Sequence, residues 1–289
     1  MKTLHKISDL RAELNALKNK NPELKIALVP TMGNLHDGHL KLMQQAKQSA
    51  DIVVATIFVN RLQFGVGEDF DKYPRTLQAD QQKLQSVSVD FLFAPDENEL
   101  YPQPQNFYVL PDENLQGVLE GKTRPIHFRG VATVVLKLFN IVQPNCAFFG
   151  KKDYQQLLIL KAMVQQFALP IEIFGVEIAR ADDGLALSSR NGYLSESERK
   201  IAPRLQQTLQ QLRQQVLTTS EKNFANLVEN SKNALQQQNS LWQVDYIKIC
   251  DKHNLREIQN LENGVNTNDL IILAAAKLGN TRLIDNLEI

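Results

Sequence analysis

Cysteine is almost missing from this 289-residue chain: Cys146 and Cys250 are the only two, far apart and each inside an apolar segment. That scarcity excludes a disulfide-built fold and a cysteine metal pair, and it reads as two small buried hydrophobes in a reducing compartment. Net charge is missing as well. Thirty-two basic residues cancel thirty-two acidic ones, so neither nucleic acid nor an anionic membrane is expected as the main partner. No window approaches the roughly 20 apolar residues that a membrane span needs, and the first ten residues carry charges without a long apolar run. A soluble, cytoplasmic protein is expected. There is no internal repeat. The glutamine pairs near 206 and 210 alternate with Leu205, Leu209 and Leu212, the pattern of a solvated helix face rather than low complexity.

What is present is alternation. The length exceeds what one core usually supports, so a larger domain over 1–181 and a smaller one over 182–289 are expected. In the first, short β-type runs at 25–29, 52–58, 91–93, 146–149 and 171–176 alternate with helical patterns at 7–18, 40–49, 75–85, 133–142 and 155–167. Strand and helix in turn predict an α/β fold, a Rossmann-like parallel sheet covered by helices. Beyond Asp182 the order changes. Ser195 with Glu198 looks like a capping box opening a helix over about 196–217; a second helix near 224–237 and apolar runs at 244–250 and 270–276 follow. Those predict a smaller C-terminal α+β domain.

The most informative stretch is Pro30-Thr31-Met32-Gly33-Asn34-Leu35-His36-Asp37-Gly38-His39. A strand feeding a glycine-bearing turn and a helix start is where α/β proteins hold phosphates, because free backbone N–H groups and the positive helix end point at the ligand. Two imidazoles at i and i+3 lie on one side of that first turn. They can donate into charge that develops on phosphoryl oxygens, and Gly38 lets a nucleotide come close to the backbone. The positive helix end disfavours a further positive charge, so a donor role for neutral imidazole is expected. The plainer alternative is that the pair only caps the helix. A zinc site would need a third ligand, and none of suitable type is near in sequence.

Three more segments leave predicted strands for loops or helices. Phe58-Val59-Asn60-Arg61-Leu62-Gln63-Phe64 presents two amides that donate and accept, at the usual address for substrate contacts. Asp80, near a helix start, is a weak candidate to help hold Mg²⁺. Phe149-Gly150-Lys151-Lys152-Asp153-Tyr154-Gln155-Gln156 offers a glycine for close approach, a mobile cation and a capping acid. Leu187-Ser188-Ser189-Arg190-Asn191 offers hydroxyls followed by a guanidinium, able to clamp phosphates. Read alone, each is also an ordinary polar turn. Arg129, in His127-Phe128-Arg129-Gly130 ahead of the apolar helix, could meet an anion and receives no definite role.

Taken in order, the segments 29–39, 58–80, 128–156 and 181–194 resemble the motifs of the pantothenate synthetase family, ATP-dependent ligases of the nucleotidylyl transferase superfamily that join pantoate to β-alanine. His36-Asp37-Gly38-His39 is similar to the HxGH signature, and Ser188-Ser189-Arg190 to the KMSKS-type loop. The resemblance implies catalytic roles for His39, His36, Lys152 and Arg190. It implies ATP contacts from these four and from Met32, Gly33, Gly150, Asp153, Leu187, Ser188 and Ser189. Gln63, Asn60 and Gln156 would meet pantoate or β-alanine. It further implies ATP as substrate with Mg²⁺, no dedicated protein metal site, a closing C-terminal lid and a homodimer through the N-terminal domain. Arg61 stands where the family usually has proline, which should loosen that loop, and Lys151 where it more often has an acid. Two rivals stay open: a nucleotidylyl transferase acting on a phosphorylated cofactor precursor, and a nucleotide-binding regulator without catalysis.

Overall fold

Apolar runs too short for helices become the strands of a parallel sheet. A computed structural model describes residues 1–218, 223–260 and 266–289. Its first sheet contains β1 (Lys2–Leu4), β2 (Ile26–Thr31), β3 (Ile52–Ile57), β4 (Phe91–Phe93), β5 (Cys146–Gly150) and β6 (Glu172–Val176) in the order β1-β4-β3-β2-β5-β6, all parallel. Alternate residues of the central strands face opposite cores, as a two-sided sheet requires. Ile26, Leu28 and Val54 join the layer that includes helices Ile7–Lys20, His127–Val142 and Tyr154–Gln166. Ala27, Val29, Val53 and Ala55 meet Leu42, Met43 and Ala46 of helix Asp37–Ser49, with Leu84 of helix Leu77–Ser86 beside them.

The chain moves outward from β2 to β3 and β4, then crosses back to β5 and β6. The order therefore reverses between β2 and β5, whose ladder joins Ala27 to Cys146 and Leu28 to Ala147, early in both strands. In open α/β sheets ligands bind beyond the carboxyl ends of strands at such a switch point. The first unit departs from the sequence expectation at β1, at the helix expected over 133–142, and in three short added helices, Glu97–Leu100, Glu113–Gln116 and Leu119–Thr123. β1, three residues beside β4, is too short to show a period. The helix expected at 133–142 starts at His127, so His127 to Gly130 form its first turn instead of preceding it.

The second sheet is antiparallel, β7 (Trp242–Asp251), β8 (Leu270–Leu278) and β9 (Thr281–Glu288) in that order. Helices Arg204–Thr218 and Phe224–Gln238 cover it through Leu205, Leu209, Leu212, Phe224 and Leu235. The single helix expected over 196–217 is two, Glu196–Ile201 and Arg204–Thr218. Pro203 sits at the break, where it has no N–H to continue the ladder. The capping box of Ser195 and Glu198 is present. Two compact units result: Met1–Lys151 with Gln155–Glu177, and Ile178–Ile289 with Lys152–Tyr154.

Candidate active site

The turn leaving β2 is built from left-handed backbone. Gly33 has φ +83° and Asn34 φ +51°, a pair that glycine and asparagine adopt at least cost. A Cβ on Gly33 would also stand 3.0 Å from Ile57 Cγ2. Asp80, 1% exposed on helix Leu77–Ser86, holds this turn in place. Its Oδ2 accepts from Asn34 N at 2.9 Å and from Thr76 Oγ1 at 3.0 Å, and its Oδ1 from Leu35 N at 2.8 Å. The sequence reading of Asp80 as a contributor to magnesium gives way to this: its two oxygens already serve the turn.

The turn delivers the chain to helix Asp37–Ser49 with His36 as N-cap. Gly38 N donates to His36 Nδ1 at 3.1 Å, and His36 N donates to His39 Nδ1 at 3.2 Å. The two rings lie 4.1 Å apart between centroids. A backbone N–H can only donate, so each Nδ1 is an acceptor and each ring carries its proton on Nε2. Capping and chemistry are thus compatible here. The cap fixes the tautomer that leaves an N–H at the far side of each ring.

Asn60 and Gln63 follow β3, with Arg61–Gln63 a 3-10 turn. Both are buried, Asn60 to 1% and Gln63 to 8% exposure. Asn60 Nδ2 donates to Gln63 Oε1 and to Gly130 O, each at 3.1 Å, and Tyr101 Oη donates to Asn60 Oδ1 at 2.9 Å. Gln63 Nε2 reaches Met32 Sδ at 3.1 Å, which joins this turn to the one leaving β2. Asn60 therefore stands behind Gln63. The backbone carbonyl of Gln63 accepts from Arg124 at 3.3 Å and lies 3.0 Å from His127 Nδ1, while Arg124 also pairs with Glu68 at 2.6 Å. Arg61, expected to loosen this loop, donates to Glu97 at 3.0 Å and lies 3.9 Å over the Phe70 ring, so its side chain ties the loop instead. The Arg129 guanidinium sits over the Tyr108 ring.

Gly150 ends β5, and Lys151 beyond it pairs with Glu177. Gln156 is half-buried on helix Tyr154–Gln166. Its neighbour Gln155, which the sequence left without a role, is 3% exposed: Nε2 donates to Leu115 O and Val118 O, and Oε1 accepts from Glu120 N.

Lys152 and Asp153 group with the second unit. Asn286 of β9 donates to Lys152 O at 2.9 Å, and Lys152 Nζ lies 3.7 Å from Asp153 Oδ1. In the same unit Ala179 to Leu187 form a hairpin around Gly184 (φ +92°), closed by Leu187 N donating to Ala179 O. Arg180 anchors it through paired bonds of 2.7 and 2.9 Å to the buried Asp285. Burial pushes the Asp285 carboxyl up, against the pull of that guanidinium. Leu187 leads from the hairpin into Ser188, whose Oγ accepts from Arg190 N at 3.3 Å and caps the 3-10 turn Ser189–Tyr193. The first unit thus assembles Met32, Gly33, His36, His39, Asn60 and Gln63 by direct bonds along two adjoining turns. Lys152, Asp153 and the Leu187 to Arg190 run belong to the other.

Among the described residues no three acid, histidine or cysteine side chains are placed to hold a metal, and no helix is long and apolar enough to cross a membrane. Burial raises both thiols, Cys250 to about 12, which makes them poor nucleophiles.

A two-sided parallel sheet, with a glycine turn and an imidazole-capped helix at its switch point, defines a Rossmann-like α/β protein, the class in which ligands bind at the carboxyl ends of the strands. The model of the pantoate–β-alanine ligase family matches residues 2–288, and the chain belongs to that family. It is similar to the crystal structure of pantothenate synthetase from Thermus thermophilus, with 41% identity, TM-score 0.90, and 100% of this chain and 99% of that one covered. It is also similar to pantoate–β-alanine ligase from Francisella tularensis, solved with β-γ ATP and β-alanine, with 35% identity, TM-score 0.82, and 100% and 97% covered.

Proposed function

We propose that this chain condenses (R)-pantoate with β-alanine to pantothenate by way of a pantoyl-adenylate, with release of pyrophosphate and AMP. The observation that carries the reading is the reciprocal cap of His36 and His39, which holds both rings as Nε2–H donors at the helix start. The F. tularensis relative, solved with an ATP compound and β-alanine, supports the same substrates here.

In the first step a pantoate carboxylate oxygen attacks the α-phosphorus of ATP, and the bond from that phosphorus to the pyrophosphate oxygen breaks. Charge gathers on the α-phosphoryl oxygens and on the leaving pyrophosphate, where fixed N–H donors and cations stabilise it more than in the ground state. We assign His39 and His36 to this work, with Lys152 and Arg190 as the cations and Ser188 and Ser189 as hydroxyl donors. Met32, Gly33, Gly150, Asp153 and Leu187 contact the nucleotide. Gln63 and Gln156 hold the small substrates, with Asn60 behind Gln63. In the second step the amine of β-alanine attacks the acyl carbon, the acyl–oxygen bond to AMP breaks, and the nitrogen loses its proton. No protein nucleophile is needed, in keeping with two buried thiols.

Mg²⁺ is read as part of the MgATP substrate, since Asp80 is occupied by backbone, and no step is assigned to it. The unit over Ile178–Ile289 acts as a lid that excludes water from the adenylate. We read the protein as a homodimer through the N-terminal unit, as the family resemblance implies, and as cytoplasmic in keeping with its unpaired cysteines.

Pantoate labelled with ¹⁸O in its carboxylate tests the route. AMP carrying one labelled oxygen, formed with pyrophosphate and pantothenate only when β-alanine is present in sustained turnover, is the expected result. Unlabelled AMP would refute the adenylate, and turnover with another acceptor alone would refute the substrate.

A further inference from the structure

An acceptor-only group deep in the first unit dictates the direction of a chain of amides. Gly130 O accepts and cannot donate, so the Asn60 atom 3.1 Å away must be Nδ2. Oδ1 then faces Tyr101, whose hydroxyl donates at 2.9 Å. The second hydrogen of Nδ2 points to Gln63, so the Gln63 atom 3.1 Å from it must be the carbonyl oxygen Oε1. By elimination the Gln63 NH₂ lies at the opposite end, beside Met32.

Tyr101 is built to remain a donor. Its ring packs 5.9 Å from Phe58 between centroids, the Lys137 ammonium lies 4.4 Å over its face, and burial raises its hydroxyl. The close approach that starts the relay depends on Gly130, because a Cβ there would stand 2.2 Å from Leu62 O and 2.5 Å from Gln63 N.

We propose that Tyr101 is a positioning residue for the acid substrate, holding Asn60 so that Gln63 offers its Nε2–H, and not its carbonyl, to a pantoate oxygen. The inference rests on Gln63 as a pantoate contact. It explains why an asparagine that is 1% exposed accompanies that glutamine: reversing Asn60 would set its oxygen against Gly130 O, and reversing Gln63 would set two NH₂ donors against each other. A carboxylate or hydroxyl oxygen of the substrate therefore meets a donor that needs no reorientation on binding.

Steady-state kinetics of Tyr101→Phe, Gln63→Ala and the double variant test this. Tyr101→Phe keeps the ring and loses the hydroxyl; KM for pantoate is expected to rise about tenfold, the size of one lost hydrogen bond, with KM for ATP unchanged. In the Gln63→Ala background the same change is expected to leave pantoate kinetics unaltered, since the two residues then no longer share a target. A merely structural tyrosine would raise both KM values together and would do so in either background; that result overturns the proposal, as does an unchanged KM for pantoate in Tyr101→Phe. If Gln63→Ala itself leaves KM for pantoate unchanged, the substrate contact fails, and the inference falls with it.

Discussion

His39 does two things with one ring, and the two can be separated by measurement. Its Nδ1 accepts from the His36 backbone, a cap worth about 1 kcal/mol, while Nε2–H is the donor assigned to the phosphoryl charge. His39→Ala should therefore lower kcat roughly 10²–10³-fold with only a slight fall in the thermal midpoint. A variant that unfolds readily but turns over normally when folded would reduce the histidine to a cap. The sequence made this pair conspicuous, and it left capping and catalysis as alternatives. The structure leaves both open, since the cap uses Nδ1 and the proposed chemistry uses Nε2–H.

At the scale of an element, the turn from β2 to helix Asp37–Ser49 is held from outside itself. Asp80 lies 45 and 46 positions along the chain from the N–H groups it binds. Asp80→Ala leaves those N–H groups without their acceptor, at a cost of about 2–3 kcal/mol, and should reduce ATP use because His36 and His39 follow directly. Asp80→Asn keeps an acceptor oxygen and should recover part of both; equal loss in the two variants would refute the clamp. The helix His127–Val142 meets the Arg61–Gln63 turn in a similar way. Gly130→Ala should cost about 1–3 kcal/mol through forced backbone movement, which chemical denaturation of purified protein would read.

For the molecule as a whole, one source of acid sensitivity is the half-buried Glu68. Burial works to raise its carboxyl, but the hydrogen bonds and charge of Arg124, with His127 adding to them, outweigh it and hold the group below the usual carboxylate range. A depressed folded value contributes stability above the unfolded value and loses it as pH falls through the folded one. The thermal midpoints of wild type and Glu68→Gln should therefore converge as pH falls through and below the ordinary carboxylate range. A gap that persists unchanged into acid would show that this ion pair contributes nothing. If the second unit closes as a lid, ATP with pantoate should slow deuterium exchange in 187–193 more than either ligand alone.

Local order was legible in the residues themselves. Apolar runs bounded by turns marked β2 to β6, Ser195 with Glu198 marked a helix start, and the Pro30 to His39 stretch marked the switch-point turn, because each depends on neighbours within a few positions. The partners of those elements were not legible. The bonds that orient Asn60 come from 41 and 70 positions away, Asp80 reaches back to Asn34, and Asn286 reaches 134 positions to Lys152. Only folding brings such groups within hydrogen-bond distance. Sequence therefore picked out the side chains proposed to bind and react, whereas tertiary structure decided which of their atoms are taken up when buried donors and acceptors find each other.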